Sequence, residues 1–186
     1  KNTLLTWLKL EAMRPEFFIH ACEYSFSYRY DQHQIKLRID RIDRLGDGQL
    51  LLIDYKSGKA TANGWTNDAL SEPQLPLYAI ALAAEQLGET KSSSSIAFAR
   101  VKAGEDQAFV GLSTNHSSAA LAIKGIKSGE FEKWSDQLAS WTVHINRSIE
   151  ELVSGQVIMD LDNIFQLDPI YEPAMRLSHC YYTHHK

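Results

Sequence analysis

Cysteine is nearly absent from this chain: its 186 residues include two, Cys22 and Cys180. That count excludes a disulfide framework or a four-thiolate cluster and fits a reducing compartment. Long hydrophobic runs are also missing. No stretch approaches the roughly 20 apolar residues of a membrane-spanning helix, and the first ten residues lack the apolar core of a signal peptide. Positive charge is in deficit, with 19 Lys and Arg against 23 Asp and Glu and a net charge of −4. A protein that grips nucleic acid with its whole surface is usually basic, so any such contact here is local or supplied by partners. No Gly-rich nucleotide-binding loop occurs, so an ATP-driven motor must lie in another domain or subunit. The remainder is ordinary, with 44% hydrophobic and 23% charged residues. That is the composition of a folded domain, at a length that buries roughly 70% of the unfolded surface.

Residues 1–14 read as a helix. Leu4, Leu5, Leu8 and Met13 fall near one face, Trp7, Leu10 and Ala12 widen it, and Pro15 closes it. The helix opens without a cap, as expected of the C-terminal part of a longer protein. Residues 16–30 alternate as a long strand, with Phe18, His20, Cys22, Tyr24, Phe26, Tyr28 and Tyr30 on the bulky face. On that face His20 reads as a core histidine. Strands over 34–45 and 49–57 follow, joined by the Gly46-Asp47-Gly48 turn.

After a polar loop, Ser71-Glu72-Pro73 reads as the start of a helix that Gly88 stops. Two more strands cover 95–102 and 107–112. Residues 113–129 read as loop with a short helix over 118–126. A long amphipathic helix spans 132–153, with Trp134, Leu138, Trp141 and Ile145 at helical spacing. The tail, 156–186, has weak periodicity. Its His179, Cys180, His184 and His185 lack metal-ligand spacing and read as a disordered end. The order α-β-β-β-α-β-β-α predicts one α/β (mixed α+β) domain, with helices packed on a mixed sheet of about five strands.

Charge concentrates in Lys36–Lys59, KLRIDRIDRLGDGQLLLIDYKSGK. The apolar run Leu50–Ile53 belongs inside a sheet. Asp54 and Lys56 follow it two residues apart, which places an acid and a base on one face of a strand end. The neighbouring strand offers Asp40 and Asp43 in the same style. Carboxylates on adjacent strands repel unless a cation sits between them, and Mg²⁺ takes one or two carboxylates while keeping its waters. A Lys beside such a metal can orient or deprotonate a water, or steady charge developing on a phosphate. The same residues also describe a surface ladder of ion pairs.

The wider pattern RIDRIDRL, then LLIDYKSGK, then EPQLPLYAIAL resembles the RecB/AddB-type branch of the PD-(D/E)xK nuclease superfamily. The resemblance covers Glu23 to about Ala83 well and the 134–155 helix loosely. It implies a restriction-endonuclease-like core over 16–112, and a Mg²⁺-dependent DNA nuclease, for which Mn²⁺ can substitute, working at DNA ends. It implies as partners DNA and the helicase domain or subunit of a RecBCD/AddAB-like repair complex, without a membrane, in a bacterial cytoplasm. By resemblance Asp40 and Asp54 bind the metal, with the Tyr55 carbonyl, and Glu23 is an auxiliary ligand. Lys56 acts on the attacking water. Gln74 and Tyr78, at i and i+4 on one helix face, fix the substrate strand. Lys36, Arg38 and Arg41 supply positive charge toward DNA, while Asp43 reads as a structural ion-pair partner.

Leu37 stands where relatives have glycine before the Ile-Asp pair. The upstream metal-binding His of many relatives has no counterpart other than His20. The four-Cys iron–sulfur cluster of some relatives is not expected in this chain. The alternative is a nuclease-like module that no longer cuts and serves in DNA binding or assembly.

Overall fold

The computed structural model describes residues 2–65, 70, 72–85, 93–103 and 107–155. The chain divides into two units, Lys1–Ile149 and Glu150–Lys186. Only 150–155 of the second unit are described. The expected start and stop of the second helix at Ser71 and Gly88, the Gly104 turn, and the His/Cys tail lie outside the described residues.

The first unit is a six-stranded mixed sheet in the order β1-β2-β3-β4-β5-β6. Its strands are β1 (Phe17–Tyr30), β2 (His33–Leu45), β3 (Leu50–Lys56), β4 (Ser93–Arg100), β5 (Ala108–Ser113) and β6 (Ile126–Ser128). The first three pair antiparallel, β3 and β4 run parallel, β4 and β5 antiparallel, and β5 and β6 parallel. The helices are α1 (Asn2–Ala12), α2 (Gln74–Ala84), α3 (Ser118–Leu121) and α4 (Trp134–Val153). The parallel β3–β4 pair needs a crossover, and α2 lies within it.

β3 sits between two partners, and Leu50, Leu51, Leu52, Ile53 and Asp54 are all buried. Leu50 and Leu52 join one core with residues of α2, α4 and the β1–β2 pair. Leu51 and Ile53 join the other, with Trp7, Phe109 and Ile123. Both faces of the strand are therefore covered, which explains a continuous apolar run in place of alternation. On the α2 side, Trp141 Nε1 donates to the Trp65 carbonyl at 2.8 Å, and Trp65 Nε1 donates to the Glu72 carbonyl at 2.8 Å. Tyr28 donates to Asn146 Oδ1 at 2.6 Å. These bonds seat buried aromatics without leaving their polar atoms unmatched.

The structure corrects three expectations. Leu4, Leu5, Leu8 and Met13 of the first helix are each more than half exposed, whereas Trp7 is buried. The helix docks through Trp7 and Glu11, at i and i+4, and through Arg14 just past its end. Trp7 packs on Phe109, and Glu11 and Arg14 enter an ionic network described below. His20 is exposed rather than in the core, as are Phe18 and Cys22; the β1–β2 register slips between Ile19 and Ala21, and Ala21 packs on the core in its place. A sixth strand, β6, lies within the stretch expected to be loop and short helix. Gly125 introduces it at φ +100°, where a Cβ would collide with the Phe109 carbonyl.

Among the described residues, no helix is long and apolar enough to cross a membrane.

Candidate active site

Alternation along β3 carries Asp54 and Lys56 onto the face of Leu50 and Leu52, the side on which α2 packs. Gln74, the first residue of α2, meets them there. Its Nε2 donates to Asp54 Oδ1 at 2.7 Å and to the Tyr78 hydroxyl at 3.0 Å, and its Oε1 accepts from Lys56 Nζ at 2.7 Å. One amide thus holds both ends of the acid–lysine pair, in the only orientation that satisfies both. Pro73 and Pro76 flank this first turn, where a missing N–H costs least. Tyr78 is itself wedged edge-on against Phe26, with ring centroids 5.7 Å apart.

Asp40 arrives from β2. Ile39 and Ile42 both enter the same core although they are three residues apart, so the strand switches faces between them. Regular pairing of β2 with β3 begins at Arg41 opposite Ile53. Beyond it, Asp40 Oδ2 accepts from the Tyr55 backbone N–H at 2.8 Å, which pins the carboxylate to the end of β3.

The electrostatics favour a cation. Asp54 is only 3% exposed. Lys56 Nζ forms an ion pair with its buried Oδ2 at 2.9 Å, and no other donor reaches that oxygen. Burial raises the Asp54 pKa above the usual carboxylate range. Lys56 pulls it down, the Asp40 charge pushes it up, and the net direction is up. Among the described residues, no three His, Cys, Asp or Glu side chains gather as a metal site. Two carboxylates with water nevertheless meet the needs of Mg²⁺, which is rarely caged by protein alone. Asp54 Oδ2, met only by Lys56, and the Asp40 carboxylate, held at Oδ2 by the Tyr55 N–H, fit such an ion.

Asp40, Asp54, Tyr55, Lys56, Gln74 and Tyr78 therefore come together. Lys36 and Arg38 are exposed on the part of β2 that extends past β3. Two expected residues do not join. Glu23 has φ +50°, and its exposed carboxylate lies 3.1 Å from Arg38 Nε rather than with the acids. Arg41, expected to face DNA, is 8% exposed and shares the opposite sheet face with Ile53.

On that opposite face, Arg41 binds Asp43 through Nε at 2.6 Å and a second nitrogen at 2.9 Å. It also donates to Glu11 at 3.0 Å and to the Tyr55 hydroxyl at 2.9 Å. Arg14 binds the same Asp43 at 2.7 Å. Burial alone would weaken the charge on Arg41, but Asp43, with Tyr55 and Glu11 behind it, holds the guanidinium more firmly protonated than usual. Asp43 is thus the structural partner expected. The reach of the network back to Glu11 and Arg14 was not legible, since only the i+3 spacing of that pair hints at it.

The sheet order, its helical layers and an acid–acid–lysine cluster at the end of a central strand define the class: a restriction-endonuclease-like domain. The family model of the PD-(D/E)XK nuclease superfamily matches residues 2–162, and the chain belongs to that superfamily. Nuclease chemistry is the activity of its class. No curated protein matches the chain.

Proposed function

We propose that this chain is a Mg²⁺-dependent deoxyribonuclease of the RecB/AddB type, acting at DNA ends as the nuclease part of a cytoplasmic helicase–nuclease. The observation that carries the reading is the buried Asp54 carboxylate, whose Oδ2 is met only by the Lys56 ammonium and which feels the charge of a second carboxylate, Asp40. A site kept in this condition costs stability and is explained by the cation it receives.

Asp40 and Asp54 hold the ion, with the Tyr55 carbonyl. When bound, Mg²⁺ supplies Lewis-acid stabilisation of the phosphate and a more acidic water. Lys56, about one-third exposed and anchored at one proton by Gln74, keeps others to direct at the attacking water or a phosphate oxygen. Gln74 fixes the rotamers of Asp54 and Lys56 together, and Tyr78 braces Gln74. The substrate's leaving oxygen takes its proton from solvent or from Lys56. The acidic net charge of the chain suits a domain to which a motor delivers DNA, since steering by bulk charge is then unnecessary.

The test is cleavage of linear, end-labelled DNA with Mg²⁺ and without ATP, comparing the wild type with Asp54→Ala and with EDTA. Shortening by the wild type alone, lost in EDTA, supports the reading. DNA binding without cleavage by either protein would move the assignment to a non-catalytic module.

A further inference from the structure

Past Lys56 the sheet opens into a cleft of about 490 Å³ lined by Gly58, Lys59, Thr61, Glu72, Arg100 and Lys102. It lies beyond the carboxyl ends of the parallel strands β3 and β4, where ligands collect in open α/β sheets. Arg100 is the register partner of Lys56, and Val101 N donates to the Lys56 carbonyl at 2.8 Å. Arg100 follows Phe98 by two residues and shares its face, and Lys56 Nζ lies 5.4 Å from the Phe98 ring centroid. Arg100 and Lys56 thus rise from one side of the sheet.

The cleft brings together three cations and one carboxylate on a chain whose net charge is −4. No ion pair forms at Lys59, Arg100 or Lys102 among the described residues. Arg100 Nε is buried without a hydrogen-bond partner. The other buried arginines are held by carboxylates: Arg41 by Asp43 and Glu11, and Arg14, whose Nε is likewise without a partner, by Glu11 and Asp43 through its two terminal nitrogens. Arg100 has no such carboxylate among the described residues. A partly buried arginine with no ion pair among the described residues, in a cleft with two lysines beside the acid–lysine pair, is suited to an anion with several acceptor oxygens.

We infer that Lys59, Arg100 and Lys102 form a subsite for a backbone phosphate of the nucleic-acid strand, next to the phosphate presented to Asp40, Asp54 and Lys56. Arg100 is its centre. This rests on the nuclease reading and adds what holds the strand in register. Phosphate contacts of this kind position a strand without reading its sequence.

The experiment measures binding of a fluorescein-labelled single-stranded oligonucleotide by anisotropy in EDTA, across a salt series, using the full chain. Arg100→Gln is expected to weaken binding about tenfold and to reduce the slope of log K against log salt by about 0.7, the share of one phosphate contact on a single strand. Arg100→Lys restores most of the slope. Lys127→Ala, which removes an exposed charge on β6, leaves it unchanged. With Mg²⁺ present, Arg100→Gln raises KM and keeps kcat. Lys102→Ala, at an exposed position, gives the same loss of slope if Arg100→Gln fails to fold. Cleavage by the wild type with binding and slope unaltered in Arg100→Gln and Lys102→Ala would overturn this inference alone. A wild type that neither binds nor cuts the strand would overturn the nuclease reading and this inference with it.

Discussion

Replacing Asp54 with Asn should stabilise the metal-free protein while abolishing its response to metal. The Asn Oδ1 still accepts from Gln74 Nε2, the bond that measures 2.7 Å in the wild type. What disappears is a buried negative charge whose second oxygen only Lys56 meets. Burial makes the ionised acid costly and Lys56 offsets this only in part, whereas the Asn Nδ2 that replaces Oδ2 faces the Lys56 ammonium and gives back part of the gain. The net gain is about 1 kcal/mol, or about 2–4 °C in Tm at this chain length.

The pH dependence follows from the raised pKa of Asp54. A group held above its unfolded value contributes stability below the ordinary carboxylate range and loses it as pH rises through the folded value. The advantage of Asp54→Asn in EDTA should therefore be greatest at neutral pH and fade in acid. Added Mg²⁺ should stabilise the wild type alone, by about 2.7 kcal/mol at a hundred times Kd, which reverses the order. Thermal unfolding followed by circular dichroism, with EDTA and then Mg²⁺, reads all of this. A variant less stable than the wild type in EDTA at neutral pH, or an equal Mg²⁺ shift in both proteins, would refute the reasoning.

Two further substitutions probe the supports of the site. Asp43→Ala leaves two buried guanidinium groups, Arg14 and Arg41, to share the single carboxylate of Glu11 and should cost about 3–5 kcal/mol in urea unfolding. A cost below about 1 kcal/mol would mean that the network does not close on Asp43. Gln74→Ala removes the amide that holds Asp54 and Lys56, and should lower the cleavage rate by about 10- to 100-fold through misplacement of reacting groups. An unchanged rate in single-turnover assays would show that Gln74 does not position them.

The legible parts of the fold were those where one physical term dominates. Leu50–Ile53 announce a strand buried on both faces, and the acid and lysine beyond them follow from alternation. Gln74 and Tyr78 were singled out by the family resemblance, and helical spacing added that they share one helix face. The bridging of Asp54 to Lys56 by the Gln74 amide was not legible, because it depends on where α2 enters its crossover. The face of α1 was misread because two charged residues, Glu11 and Arg14, dock the helix beside Trp7 while four apolar residues remain exposed. Ionic anchoring of that kind leaves no trace in hydrophobic periodicity. Arg41 is adjacent in sequence to Asp40 yet belongs to the other side of the sheet, since its partner Asp43 is buried there. Three residues of edge strand, as in β6, are too few to show a period.

The central claim is that Asp40, Asp54 and Lys56 form one hydrolytic site. The most direct test is single-turnover cleavage of end-labelled linear DNA at saturating Mn²⁺ by the wild type and by Lys56→Met, with Mn²⁺ binding followed by electron paramagnetic resonance. The account predicts unchanged Mn²⁺ binding in Lys56→Met and a rate lower by about 10²–10⁴-fold, the usual contribution of a positioned proton-transfer group. Cleavage by Lys56→Met at the wild-type rate would contradict it.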